Sequence, residues 1–244
     1  MLYKTYMQKV KDIYEDVERT QGENIEAAAE LVKDSIKSDG VLHVFGCGHS
    51  QMYAMEVFYR AGGLVPVNAI LPPAMSLAPK APLSTAGERQ QGYAKAILDN
   101  ETVHEQDVML VASTSARNPA PIEMAKEAKE RGLKVITLLS EDFARSVESR
   151  HPSGKKTYDF ADVILDNRGV AGDAVMEIEG LQTKFGPTSS IIGFTIIQSV
   201  VVETVDRLVK EGYEPPIWVS SNLDEGDKIN KKHIEKYRKR ISCL

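Results

Sequence analysis

The sequence is poor in features that mark several large classes of protein. No run approaches the roughly eighteen apolar residues of a membrane span, and Met1-Leu2-Tyr3-Lys4 opens no signal-peptide core. A cytoplasmic protein with no membrane partner is expected. The two cysteines, Cys47 and Cys243, lie far apart and suggest neither a metal knuckle nor a disulfide framework. The five histidines show no ligand spacing, so no metal and no cofactor are expected. A basic excess is missing too. The formal net charge of −5 has the wrong sign for a nucleic-acid surface. Internal repeats and low-complexity tracts are absent.

What is present is an ordinary globular composition, 42% hydrophobic and 27% charged, in 244 residues that can bury a substantial core. Tyr3, Tyr6, Met7, Val10, Tyr14 and Val17 recur at helical spacing, predicting an amphipathic helix that Thr20-Gln21-Gly22 breaks. Ile25, Ala28, Ala29, Val32 and Ile36 mark a second helix, ended near Asp39-Gly40. Together they form a helical extension over residues 1–40, ahead of one compact unit over residues 41–244.

Five apolar segments then read as strands: Val41–Phe45, Leu64–Leu71, Val108–Ala112, Val135–Leu139 and Val163–Leu165. Helical patterns separate them. One runs from Ser50 to Gly62-Gly63, one over Gly92–Asp99 with Glu88-Arg89 in its first turn, and one closes at Arg131-Gly132. A long apolar helix covers Ile191–Val209, hydrophobic on nearly every face and so expected to be buried all round, in the core or between subunits. Four prolines make Pro72–Pro82 an irregular loop, and His151–Lys156 reads as a surface loop. Ala174–Ile178 is a candidate further strand, and the tail after it is polar. Alternating strands and helices, with runs too continuous for one-sided strands, predict a doubly wound α/β fold with a mainly parallel five-stranded sheet flanked by helices.

In such sheets ligands bind at the carboxyl ends of strands, at the topological switch point. Two polar turns sit at those ends. Gly46-Cys47-Gly48-His49-Ser50 follows the first strand, and Ser113-Thr114-Ser115-Ala116-Arg117-Asn118 follows the third. Glycines admit close backbone approach, and free N–H groups at a helix start favour an anion. A single Ser or Thr before a helix is ordinarily only a cap. Three consecutive hydroxyls opposite a glycine turn point instead to a ligand, and a phosphate suits them without a metal. A dinucleotide site would want Gly-x-Gly-x-x-Gly and a later acid, yet position 51 is Gln and the second strand offers Asn68. Gly-x-Ser-x-Gly, the hydrolase elbow, does not occur.

Gly46-x-Gly48-x-Ser50 and Ser113-x-Ser115 with Asn118 resemble the turns of the sugar isomerase (SIS) domain family. That family binds phosphosugars and includes phosphoheptose isomerases, isomerase domains of glucosamine-phosphate synthases and N-acetylmuramate-phosphate etherases. The resemblance runs from about Val41 to Val209. Gly154-Lys155, Gly172-Asp173 and Ser221-Asn222 are similar to a phosphosugar-binding, phosphoheptose-isomerase-like subgroup. It implies that Ser113, Thr114, Ser115 and Asn118 bind phosphate, with Gly46 and Gly48 beside the sugar and His49 and Ser50 touching phosphate or sugar. Two departures stand out. Ala116 replaces the usual glycine, and Arg60 and Gly63 stand where isomerases carry a catalytic glutamate.

Sugar-phosphate chemistry needs a base for the proton next to the carbonyl carbon. The candidates are Glu88 beyond the proline-rich loop, Glu56 on the helix leaving the first turn, His49 inside that turn, and His233 reaching from the tail or a neighbouring subunit. Each also has a plain structural reading: a solvated helix acid for either glutamate, a satisfied polar contact for His49, a solvated tail residue for His233. The expected function is an enzyme acting on a 6-phosphorylated hexose, amino sugar or heptose. Abstraction at C2 then leads to aldose–ketose isomerisation or to elimination. The alternative is a phosphosugar sensor. The aromatic first helix and the apolar long helix suggest a homo-oligomer, a dimer or a tetramer.

Overall fold

The computed structural model describes residues 1–244, and its centre is an all-parallel sheet in the order β2-β1-β3-β4-β5. The strands are β1 (Leu42–Gly46), β2 (Val67–Ile70), β3 (Val108–Ala112), β4 (Lys134–Leu139) and β5 (Val163–Asp166). β1, β2 and β3 are buried at every position. Continuous apolar runs are what a sheet covered on both faces requires. Side chains alternate between two core layers: Leu42 and Val44 enter one, Phe45 the other, and β3 divides Leu110 from Met109 and Val111 in the same way.

The first layer is closed by α2 (Gly22–Lys37), α3 (Gln51–Val57) and α8 (Ser189–Lys210). Ala28, Ala29, Val32 and Ile36 form one stripe of α2, and they meet Ile192, Ile196, Ile197 and Val200 of α8. Each of those buried isoleucines contributes about 1.5–3 kcal/mol through apolar area removed from water. α1 (Leu2–Thr20) lies outside them, with Val17 buried, and the Tyr14 hydroxyl bonds Thr195 Oγ1 at 2.6 Å. The second layer is closed by α5 (Tyr93–Leu98) and α6 (Pro119–Glu130), and the short α7 (Glu141–Ser146) follows β4. No helix is long and apolar enough to cross a membrane.

Within the single chain α8 is buried on one face; Ile191, Val202 and Val209 on its other face are 39, 67 and 58% exposed. Several other elements differ from the sequence expectation. The second strand is short because Val65 and Leu64 turn away to meet the segment at Pro216–Ile217. Ala174–Ile178 is no strand, since only Met176 pairs, with Phe185. Within the proline-rich stretch, Pro73–Met75 form a 3-10 turn and α4 (Ala81–Glu88) begins, with Pro82 in its first turn. A proline there costs nothing, because the first N–H groups of a helix have no intrahelical acceptor. Glu88 is therefore the last residue of α4 rather than part of α5. The polar tail folds as well: α9 (Gly226–Tyr237) packs Trp218, Tyr237 and Ile241 beneath Val41 and Val65.

Candidate functional site

The strand order reverses direction between β1 and β3, and Gly46 pairs with Ala112 at the carboxyl ends of the two strands. That register sets the two polar turns side by side at the switch point. On the β1 side the chain passes through Gly48 (φ +57°) into a 3-10 turn over Gly48–Ser50, then α3. Gly46 is needed for close approach: a Cβ there would lie 2.3 Å from the Ser50 carbonyl oxygen.

On the β3 side, Ser113 N–H donates to Leu138 O at 2.9 Å and Ser140 N–H donates to Thr114 O at 3.0 Å. The sheet ladder thus runs into the turn and fixes it. Ala116 adopts φ +54° and is fully buried against Leu139 and Ala144. A left-handed conformation ordinarily favours glycine, and alanine holds it here at a local cost of about 1–2 kcal/mol. As a result the N–H groups of Thr114, Ser115, Arg117 and Asn118 donate to no protein acceptor. The hydroxyls of Ser113, Thr114 and Ser115 likewise bond no protein group, and all three residues are half-buried. Successive unpaired N–H groups in a turn are the raw material of an anion nest.

Both turns open into one cavity of about 910 Å³. Gly48, His49 and Ser50 line it on one side, and Ser113, Thr114, Ser115 and Asn118 on another. α4 forms a further wall with Ser84, Thr85 and Glu88. Gly87 lets α4 press onto the 3-10 turn, since a Cβ there would sit 2.5 Å from Ala74 O. Glu88 is half-buried in this wall. Burial raises its carboxyl above the ordinary glutamate range, against the opposing pull of the Asn118 amide, Arg89 and Arg150. Asn118 is itself buried and its Oδ1 accepts from Arg150 Nη1 at 3.0 Å.

The last wall comes from residues the sequence reading did not assign to a site: Tyr53, Asp173 and Ser189. Asp173 caps α8, accepting from Thr188 N at 3.1 Å, Ser189 N at 2.9 Å and Ser189 Oγ at 2.5 Å. Only the pairing of Gly172-Asp173 with the Thr188-Ser189-Ser190 cap could have hinted at this. Cys47 also lines the cavity, and burial pushes its thiol up, which suits a space-filling residue better than a nucleophile.

Of the four acid–base candidates, Glu88 and His49 face the cavity and the other two do not. Glu56 pairs with Arg60 and accepts from Gln198 Nε2 at 3.0 Å on the outer side of α3. His233 packs edge-on against Trp218 at 5.9 Å, and burial lowers its pKa. No group of three or more His, Cys, Asp or Glu side chains is placed to hold a metal ion.

A parallel sheet in this order, with unpaired N–H groups and a cavity at its switch point, places the chain among the doubly wound α/β proteins. Residues 5–140 match the SIS domain family, and the chain belongs to that family. A UPF0309 protein of Halalkalibacterium halodurans is 42% identical over 240 residues, covering 98% of this chain and 96% of that protein. Among solved structures, a phosphoheptose isomerase from Francisella tularensis superposes with a TM-score of 0.53 at 15% identity, over 84% of this chain and 96% of its own. One from Neisseria gonorrhoeae gives 0.50 at 20% identity, over 85 and 97%. At these identities the likeness is one of fold.

Proposed function

We propose that this protein is an enzyme acting on a 6-phosphorylated sugar of the hexose, amino-sugar or heptose class. The observation that carries the reading is the turn Ser113–Asn118: it leaves N–H groups and hydroxyls without protein acceptors, and Ser113, Thr114, Ser115 and Asn118 line the cavity that Glu88 also lines. The cavity's volume lies within the range of small-molecule sites. Membership of the SIS family and a fold shared with phosphoheptose isomerases support it.

In this reading the phosphate sits on the Ser113–Asn118 turn, and Gly46–Ser50 borders the sugar. The Glu88 carboxylate takes the C2 proton of the open-chain aldehyde, and the C–H electron pair moves into an enediolate. Return of the proton at C1 gives the ketose. Departure of a C3 substituent with its bonding pair gives elimination instead. Burial suits Glu88 to this work, because a raised pKa makes a stronger base near neutral pH. His49, exposed at the cavity mouth, is positioned to exchange a proton with the sugar oxygens.

The test is incubation with a panel of sugar 6-phosphates in deuterated water, following exchange at C2 by NMR. Exchange and conversion of at least one sugar is expected. A sensor is the second reading, favoured by Arg60 and Gly63 in place of the isomerase glutamate; binding without exchange across the panel would establish it. We further propose a homo-oligomer joined through the exposed Ile191, Val202 and Val209 face of α8, which light scattering on Val202→Glu would test.

A further inference from the structure

Seven of the chain's eleven arginines are paired with an acid: Arg19, Arg60, Arg131, Arg145, Arg168, Arg207 and Arg240 all lie within ion-pair distance of a carboxylate. Apart from Arg238, the exceptions are Arg89, Arg117 and Arg150, and these three are gathered in one place. Arg89 caps the end of α4 directly after Glu88. Arg117 lies in the Ser113–Asn118 turn, half-buried, and its Nε is buried with no acceptor. Arg150 is joined to both neighbours of this corner. Its N–H donates to Arg117 O at 2.8 Å, and its Nη1 donates to Asn118 Oδ1 at 3.0 Å.

No carboxylate lies within ion-pair distance of any of the three, and their charges act on one another. The Arg150 guanidinium is pushed below its ordinary range by desolvation and then by Arg117 and Arg89, with Glu88 alone opposing. None of the three lines the cavity. Arg150 reaches this corner through Asn118, and Arg89 through its neighbour Glu88.

We propose that Arg89, Arg117 and Arg150 form a second anion site, outside the cavity, that takes a phosphomonoester or free phosphate dianion. Planar guanidinium forks match phosphate oxygens two at a time, and such charge-assisted bonds are among the strongest a surface can make. An anion there supplies the missing acceptor for Arg117 Nε and removes the repulsion among the three cations. It also withdraws the positive charge of Arg89 and Arg150 from Glu88, which couples occupancy of this site to the cavity's acid. The site stands whether or not the cavity carries out the chemistry proposed above.

The experiment is calorimetric titration with inorganic phosphate at low ionic strength on four full-length proteins. These are the wild type, Ser113→Ala/Ser115→Ala, Arg89→Gln/Arg150→Gln, and Arg89→Gln alone. Two equivalents of phosphate are expected on the wild type. The serine variant should keep the arginine site, and Arg89→Gln, which leaves the Arg150–Asn118 bond in place, should keep the cavity site. Arg89 is exposed at a helix end, so its single variant folds, and its weaker phosphate equivalent should lose affinity several-fold. Addition of 0.2 M salt should weaken the arginine site more than the cavity site, because its charges are the more exposed. One equivalent on the wild type would overturn the proposal, as would loss of all phosphate from the serine variant. Equal loss of sugar phosphate and inorganic phosphate in the arginine variants would also overturn it, by assigning the arginines to the cavity. Intact sugar-phosphate binding in the serine variant would instead refute the cavity reading and leave the arginine site standing.

Discussion

Replacing Ser113 and Ser115 together by alanine is the cleanest perturbation of the phosphate turn. Neither hydroxyl bonds any protein group, and both residues are half-buried, so truncation breaks no internal contact. The turn keeps its shape through Ser113 N–H to Leu138 O and Ala116 N–H to Ser113 O, which are backbone bonds. A hydrogen bond to a charged group contributes about 1.5–3 kcal/mol, so two of them sum to roughly 3–6 kcal/mol. Water and the remaining N–H groups recover part of this. A fall in sugar 6-phosphate affinity of about 10²-fold is the expected net effect, each tenfold being about 1.4 kcal/mol. Calorimetric titration reads the affinity, and thermal unfolding of the same sample should show a Tm close to wild type. Unchanged affinity in a folded variant would refute the assignment of the phosphate to this turn.

The remaining perturbations address the base and the scaffold. Glu88→Gln should lower turnover by about 10²–10⁴-fold with little change in binding, the usual range for loss of a general base; equal turnover would remove Glu88 from the mechanism. Because burial raises the Glu88 pKa, activity that needs the carboxylate should rise with pH through a value above the ordinary glutamate range of about 4.3. Ionising the same group opposes folding, so its contribution to stability falls as pH rises between the unfolded and folded values; an acid limb at the ordinary value would contradict this. Gly46→Ala should destabilise by about 1–3 kcal/mol or more, since its Cβ meets the Ser50 carbonyl, whereas Gly22→Ala enters open space and should not. Asp173→Ala strips the α8 cap and should cost about 1–2 kcal/mol, read in urea unfolding.

The sheet and the meeting of its two turns were legible because both rest on local pattern. Apolar runs such as Val108–Ala112 mark buried strands, and the strand-to-turn junctions after β1 and β3 are written in glycine and hydroxyl residues. What was not legible depends on contacts between distant residues. Pro82 reads as a loop breaker until its place in the first turn of α4 is known, and with it the position of Glu88. Asp173 reads as an ordinary loop acid until α8 arrives to be capped. The tail looks solvated because its anchors are few. Arg240 bonds Asp107 at 2.8 Å, and Ser242 N–H reaches Asn68 Oδ1 at 3.2 Å across the length of the chain. Asp107 in turn meets His43 Nε2 at 3.1 Å, so a histidine on β1 that no pattern explains is there to close a buried polar network. For α8 the apolar residues on both faces do not say which face the single chain covers; that is set by the packing of α2 and α3 against Ile192, Ile196 and Val200.

The most direct test of the phosphosugar reading is a crystal structure of the protein with a bound sugar 6-phosphate. The phosphate should lie on the free N–H groups of Thr114, Ser115 and Asn118, with a Glu88 oxygen within about 3.5 Å of C2, the near-attack distance. Phosphate seated elsewhere, or Glu88 turned away from C2, would contradict the account.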